Sequence, residues 1–178
     1  MMQYRNLCEN ELNRDLFRNF IRRQEVGKCL RPENGCWVEK DDPFIDDWSE
    51  TEYEILITCL KNTLQTGGFV YAAFSDGALK GFVSVESEFF GGEAHKYLDL
   101  SSLHVSEDMR KRGIGRTLFL AAKQWAKEQG AKKLYISSHS AIETQAFYQA
   151  MGCVDAKTYH QKHVETEPYD RQLECETA

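Results

Sequence analysis

Residues 97–125 read YLDLSSLHV, SEDMRKRGIGR and TLFLAAKQW, and the rest of the chain is organised around them. Leu98 and Leu100 alternate with polar neighbours, then Leu103 and Val105 alternate in the opposite phase. A period-2 pattern that slips by one residue, here across Ser101-Ser102, is what an inserted β-bulge produces. Ile114, Leu118, Ala121 or Ala122, and Trp125 then recur at helical spacing, which sets Gly113 and Gly115 at a helix N-terminus. Unpaired backbone N–H groups and the positive end of the dipole favour an anion there. Arg110, Lys111, Arg112 and Arg116 add positive charge around that end. Strand, loop and helix together read as a phosphate site.

The loop has no G-x-x-x-x-G-K-[ST], so it is not a P-loop, and Leu118 stands where a third glycine of G-x-G-x-x-G would fall. Arg110-Lys111-Arg112-Gly113-Ile114-Gly115 instead matches [QR]-x-x-G-x-[GA]. A second motif follows in Ala146-Phe147-Tyr148-Gln149-Ala150-Met151-Gly152-Cys153. Together these resemble the acyl-CoA pyrophosphate loop and the downstream F-Y-x-x-x-G-F signature of the GNAT superfamily of N-acetyltransferases, with Cys153 in place of the usual last aromatic. The motifs lie between Leu103 and Gly152, and the resemblance spans roughly residues 68–176. The first 67 residues carry no signature.

The resemblance implies acetyl-CoA as cosubstrate. Leu103, His104 and Val105 would face its pantetheine, and Arg110, Lys111, Arg112, Gly113, Ile114, Gly115, Arg116 and Thr117 its pyrophosphate. It implies two parallel strands that splay so that the cofactor fills the gap. It makes Tyr148 the general acid, since the matching tyrosine lies near the CoA sulfur.

Acyl transfer from a thioester to an amine needs a neutral nitrogen, a stabilised oxyanion and a proton for the departing thiolate. A phenol within hydrogen-bond reach supplies the last. A bulge supplies the second, because an interrupted ladder frees backbone groups that can polarise the acyl carbonyl. For the base, Asp99 is the candidate, at a position where some family members carry an essential carboxylate. Glu86, Glu88, His104 and a water chain to solvent are the alternatives.

Composition sets the bounds. The chain has 178 residues and a formal net charge of −6, which argues against a general nucleic-acid binder. No apolar run reaches membrane-spanning length, and the N-terminal residues lack the apolar core of a signal peptide, so the cytoplasm is expected. The six cysteines form no C-x-x-C pair and read as free thiols, and no histidine shows metal-ligand spacing, so no metal is expected.

Taken in order, Met2 to Leu7 suggests a short strand, and Leu12, Leu16, Phe17, Phe20 and Ile21 an amphipathic helix of about three turns. Residues 22–47 read as a long irregular segment. Ser49 to Glu52 fits a capping box, with Tyr53, Ile57, Leu60 and Leu64 marking a helix that ends at Gly67-Gly68. Phe69 to Phe74 and Lys80 to Glu88 form a hairpin about Asp76-Gly77. After the central helix, Lys133 to Ser138 reads as a strand parallel to its predecessor and Glu143 to Met151 as a helix. Cys153 to Val164 and Arg171 to Glu176 read as a final hairpin.

The expected fold is α/β (α+β by some conventions): one domain over residues 1–178, with a mixed, mostly antiparallel sheet, one central parallel pair and flanking helices. The expected reaction moves an acetyl group to a primary amine by direct attack through a tetrahedral intermediate, with no acyl-enzyme. The aromatic, acidic segment holding Trp37, Phe44 and Trp48, with Glu86 and Glu88, suits a small cationic acceptor by charge and cation–π contact. Residues 165–174 are similar to the ends of bacterial small-molecule acetyltransferases. The alternatives are an acetyltransferase acting on a protein lysine or N-terminus, and a GNAT module that binds acyl-CoA without transferring it. A monomer and a homodimer are both compatible with the chain.

Overall fold

The computed structural model describes residues 1–178. Its strands are β1 (Met2–Asn6), β2 (Gln24–Glu33), β3 (Cys36–Asp46), β4 (Phe69–Ser75), β5 (Ala78–Val85), β6 (Tyr97–Val105), β7 (Lys133–Ser138), β8 (Val154–Asp155) and β9 (Arg171–Glu176). Its helices are α1 (Glu50–Gln65), α2 (Gly92–His95), α3 (Ile114–Glu128), α4 (Ile142–Ala150) and α5 (Gln161–Thr166). Seven strands form one sheet in the order β1-β4-β5-β6-β7-β9-β8, and β2-β3 is a separate ribbon. Only β6 and β7 run parallel; every other pair is antiparallel.

The slipped alternation in β6 is a bulge. Ser102 lies opposite Ser84 and Leu100 opposite Val85, so Ser101 has no partner on β5. The extra residue lets all four apolar side chains face the same way. Leu98 and Leu100 are buried, and Leu103 and Val105 pack beside them, in a core completed by α3 through Ile114, Leu118, Phe119 and Ala122. The opposite face of the sheet carries a second core, where Phe82 and Val70 meet Tyr53, Ile57 and Leu60 of α1. That helix starts with the expected capping box: Ser49 Oγ accepts from the Glu52 N–H at 3.2 Å, and Glu52 Oε2 accepts from the Ser49 N–H at 2.6 Å.

Three segments differ from the sequence reading. The three-turn helix at Leu12–Ile21 is absent, replaced by two 3₁₀ turns, Glu9–Glu11 and Arg14–Phe17. The first ends at Leu12 in extended backbone, and Asn13 caps the second, its Oδ1 accepting from the Leu16 N–H. A side chain that bonds its own backbone competes with a continuous helix. Leu12, Phe17 and Phe20 still reach the second core.

Residues 22–47 are not irregular but mostly the ribbon β2-β3. It turns at Asn34-Gly35, both in the left-handed region at φ 51° and 79°, the conformation that a tight I′ hairpin requires. Pro32 and Pro43 are tolerated because a two-stranded ribbon has only edge strands. The ribbon straddles the far ends of β6 and β7. At its base the Ile21 N–H donates to Ser106 Oγ, and the Ile21 carbonyl accepts from the Glu107 N–H. Further along, the Leu30 N–H donates to the Ser140 carbonyl at 2.8 Å.

In the closing segment only Val154–Asp155 pairs with β9; residues 161–166 form α5 instead of a strand. The Gln161 amide donates to Glu165 Oε1 one turn on, a helical spacing that outweighs the weak alternation.

Candidate active site

The parallel pairing of β6 and β7 is short. It joins Tyr97 to Lys133, Leu98 to Leu134 and Asp99 to Tyr135, and then ends. Beyond that point β6 stays with β5 through Val105, while β7 stays with β9 through Ser138. The sheet therefore opens between two strands whose outer edges remain bonded, and Asp99 is the last paired residue of β6.

Past the end of β6 the chain makes the turn that begins α3. Lys111 adopts φ 62° and Gly113 φ 81°; the second is the helix N-cap. Left-handed backbone costs a non-glycine residue roughly 1–2 kcal/mol, which explains the glycine. From Lys111 through Arg116 no backbone N–H finds a partner in the chain. Successive free N–H groups at a helix start form a concave anion site. Arg110 turns back, its Nε donating to the Val105 carbonyl at 3.2 Å, which fixes the loop to the strand. A Cβ added to Gly115 would lie 3.3 Å from the Phe147 ring, so α3 and α4 meet closely there.

Tyr148 sits on α4, buried in the α3-side core between Phe147 and Phe119, with ring centroids 5.1 and 6.2 Å away. Burial pushes its phenol above the usual value, and the charges of Cys153 and Asp170 push it further. It holds its proton at neutral pH.

On the other face lies a cavity of about 1100 Å³. Trp48, Glu86, Glu88, Asp99, His104 and His163 are among the residues that line it. Glu86 Oε1 accepts from Thr63 Oγ and Ser101 Oγ, each at 2.7 Å, so the residue looped out by the bulge holds a carboxylate toward this space. Asp99 is buried; its Oδ2 pairs with His163 Nε2 at 2.7 Å, and its Oδ1 has no partner. Trp48 stacks edge-on against His104 at 4.7 Å and under the Arg22 guanidinium at 4.8 Å. Burial, then the charges of Arg22 and Arg110, push His104 well below the ordinary imidazole value.

The structure thus gathers Trp48, Glu86, Glu88, Asp99 and His104 around one space, and Tyr148 and the Arg110–Thr117 loop on the α3 side. It does not bring Trp37 or Phe44 there. Trp37, on the ribbon, lies under Arg171 at 5.3 Å, and Phe44 packs on Val26, Cys29 and Ala141. The sequence reading gave His163 and Arg22 no part in this site. A histidine five residues before Pro168 carries no pattern of its own; only its contact with Asp99 marks it.

A bulged strand that parts from a parallel neighbour, with free N–H groups at the head of the next helix, is the frame of an acetyltransferase of the GNAT type. The chain belongs to that family: the model of the acetyltransferase (GNAT) family matches residues 10–153. Solved structures share the fold. Nourseothricin acetyltransferase is 17% identical with a TM-score of 0.67, the match covering 97% of this chain and 95% of that one. A Bacillus anthracis protein described as a streptothricin acetyltransferase, in complex with acetyl coenzyme A, is 18% identical with a TM-score of 0.68, covering 98% and 96%. The PaiA N-acetyltransferase of Thermoplasma acidophilum, in complex with coenzyme A, is 16% identical with a TM-score of 0.61, covering 99% of each chain. No curated protein matches the chain by sequence.

Proposed function

We propose that this chain, as a single domain, transfers an acetyl group from acetyl-CoA to a primary amine on a small cationic molecule. One observation carries the reading: the acidic cavity reaches the place where β6 and β7 part, with Asp99 at the last pair. The free N–H groups from Lys111 to Arg116 suit a pyrophosphate, and the gap between the strands suits a pantetheine arm. The solved relatives bound to acetyl coenzyme A or coenzyme A, and those named for nourseothricin and streptothricin, agree with this. Six free cysteines suit a cytoplasmic setting.

In this reading Glu86 and Glu88 draw the ammonium group into the cavity, and Asp99 serves the removal of its proton. Backbone groups freed at the bulge polarise the acyl carbonyl. The neutral amine attacks directly, the tetrahedral intermediate collapses, and Tyr148 protonates the departing thiolate.

A thermal-shift titration with acetyl-CoA tests it, followed by thiol release with cadaverine, spermidine and lysine. A ligand that binds only the folded state raises the melting temperature once its concentration exceeds Kd. Wild type is expected to shift, and Arg112→Glu combined with Gly113→Glu is expected not to. Absence of a shift for wild type at millimolar acetyl-CoA would sink the reading; a shift without thiol release would leave a binding module.

A further inference from the structure

We propose that His163 is the general base of the transfer and Asp99 its positioning residue. This deepens the acetyl-transfer reading and rests on it. His163 stands on α5, 64 positions beyond Asp99 in the chain, yet its Nε2 lies 2.7 Å from Asp99 Oδ2. A carboxylate oxygen only accepts, so Nε2 carries the ring proton. That tautomer leaves Nδ1 as the ring's acceptor, and no protein group bonds it. The ring borders the same cavity as Glu86 and Glu88. Asp99 is the less exposed partner, its side chain 12% accessible against 27% for His163. Both side chains border the cavity, and the imidazole is the one that presents more of its surface to it.

The surroundings hold the ring in place. Tyr135 of β7 stacks on it, nearly parallel, with centroids 6.2 Å apart. His160 at the start of α5 lies 4.6 Å away. The Asp99 carboxylate holds the imidazole above its ordinary value; burial and Lys162 oppose this, and Asp170 adds to it. Glu167 also borders the cavity.

The step balances as follows. The ammonium gives one proton to Nδ1, and the imidazolium passes it to solvent. The nitrogen attacks the acetyl carbon, forming C–N. The second proton lost by that nitrogen replaces the one that Tyr148 gives to sulfur as C–S breaks. The net products are the acetamide, the free thiol and one proton.

The test compares pH profiles of kcat/KM for wild type, His163→Gln and Asp99→Asn, using acetyl-CoA with cadaverine and spermidine. A general base contributes about 10²-fold or more, so His163→Gln should lose about that factor at neutral pH. It should also lose the acid limb and keep its affinity for acetyl-CoA in thermal shift. Added imidazole should recover part of the rate in His163→Ala. Asp99→Asn keeps an imidazole but removes the charge that raises it, so its acid limb should move to lower pH. Should His163→Gln retain both rate and limb in an active enzyme, the base assignment is overturned while acetyl transfer stands. If Asp99→Asn loses the limb and His163→Gln keeps it, the base is the carboxylate and the assignment is again overturned. If wild type acetylates neither amine, the acetyl-transfer reading falls, and this inference with it.

Discussion

Gly115 of α3 lies against Phe147 of α4, so near that a single added carbon would sit 3.3 Å from the ring edge. The two residues belong to the two motifs that carried the family resemblance, and in the folded chain they touch. A contact of that length is tighter than ordinary packing, so either the ring or the helix must give. Gly115→Ala should destabilise by about 1 kcal/mol through overpacking. Combined with Phe147→Leu, the loss should fall short of the sum of the single changes by about 0.5 kcal/mol or more. Urea denaturation of the four proteins checks this; strictly additive losses would show that the contact does not constrain the helices.

Tyr148 offers a cleaner separation of fold from chemistry. Its ring is buried among Phe119 and Phe147, and no protein group hydrogen-bonds its hydroxyl. Tyr148→Phe should leave the melting temperature nearly unchanged. Under the proposed mechanism it should lower kcat by about 10²-fold or more, since a positioned acid contributes on that order. An equal fall in affinity for acetyl-CoA would point to a packing role instead.

The His163–Asp99 pair also predicts a pH dependence of stability. His163 titrates higher in the folded chain than in the unfolded one because Asp99 favours its charged form. Its contribution is therefore fully present below the ordinary imidazole value, about 6.5, and is lost as pH rises through the folded value. The stability lost in His163→Gln should be larger at pH 5.5 than at pH 8.5, by roughly 0.5–1 kcal/mol for a partly exposed pair. Chemical denaturation at both pH values reads it, and a difference of opposite sign would refute the pairing.

Leu118 marks where α3 seats on the sheet. It is fully buried, and it lies so close to Gly81 of β5 that a Cβ there would meet its Cδ1 at 3.0 Å. Leu118→Ala should cost about 2–5 kcal/mol, or about 2–4 °C in melting temperature for each kcal/mol in a chain of this length. A loss below 1 kcal/mol would mean that the core closes over the gap.

Much of this was legible from residues 97–153, for physical reasons. A bulge leaves its mark as a slip in alternation, and Leu98, Leu100, Leu103 and Val105 wrote that slip plainly. The turn ahead of α3 was legible because Gly113 takes a left-handed conformation that favours glycine. The ribbon was hidden because Pro32, Pro43 and a run of acids break the alternation of β2 and β3, although Asn34-Gly35 was a turn signal in view. Leu12 to Phe20 gave a helical period because those side chains reach one core, along a path that is not a helix. His163 could not be found from the sequence, since its meaning lies in its contact with Asp99, 64 positions earlier in the chain.

The β2-β3 ribbon is tied down at two places: Ile21, just ahead of it, bonds Ser106 after β6, and Leu30 within it bonds Ser140 after β7. The two ties bridge the ends of two strands that have already parted from each other. The ribbon's tip at Asn34-Gly35 makes neither of those bonds. Because the ribbon is a separate two-stranded sheet, residues added or exchanged at that tip leave the register of the seven-stranded sheet as it is.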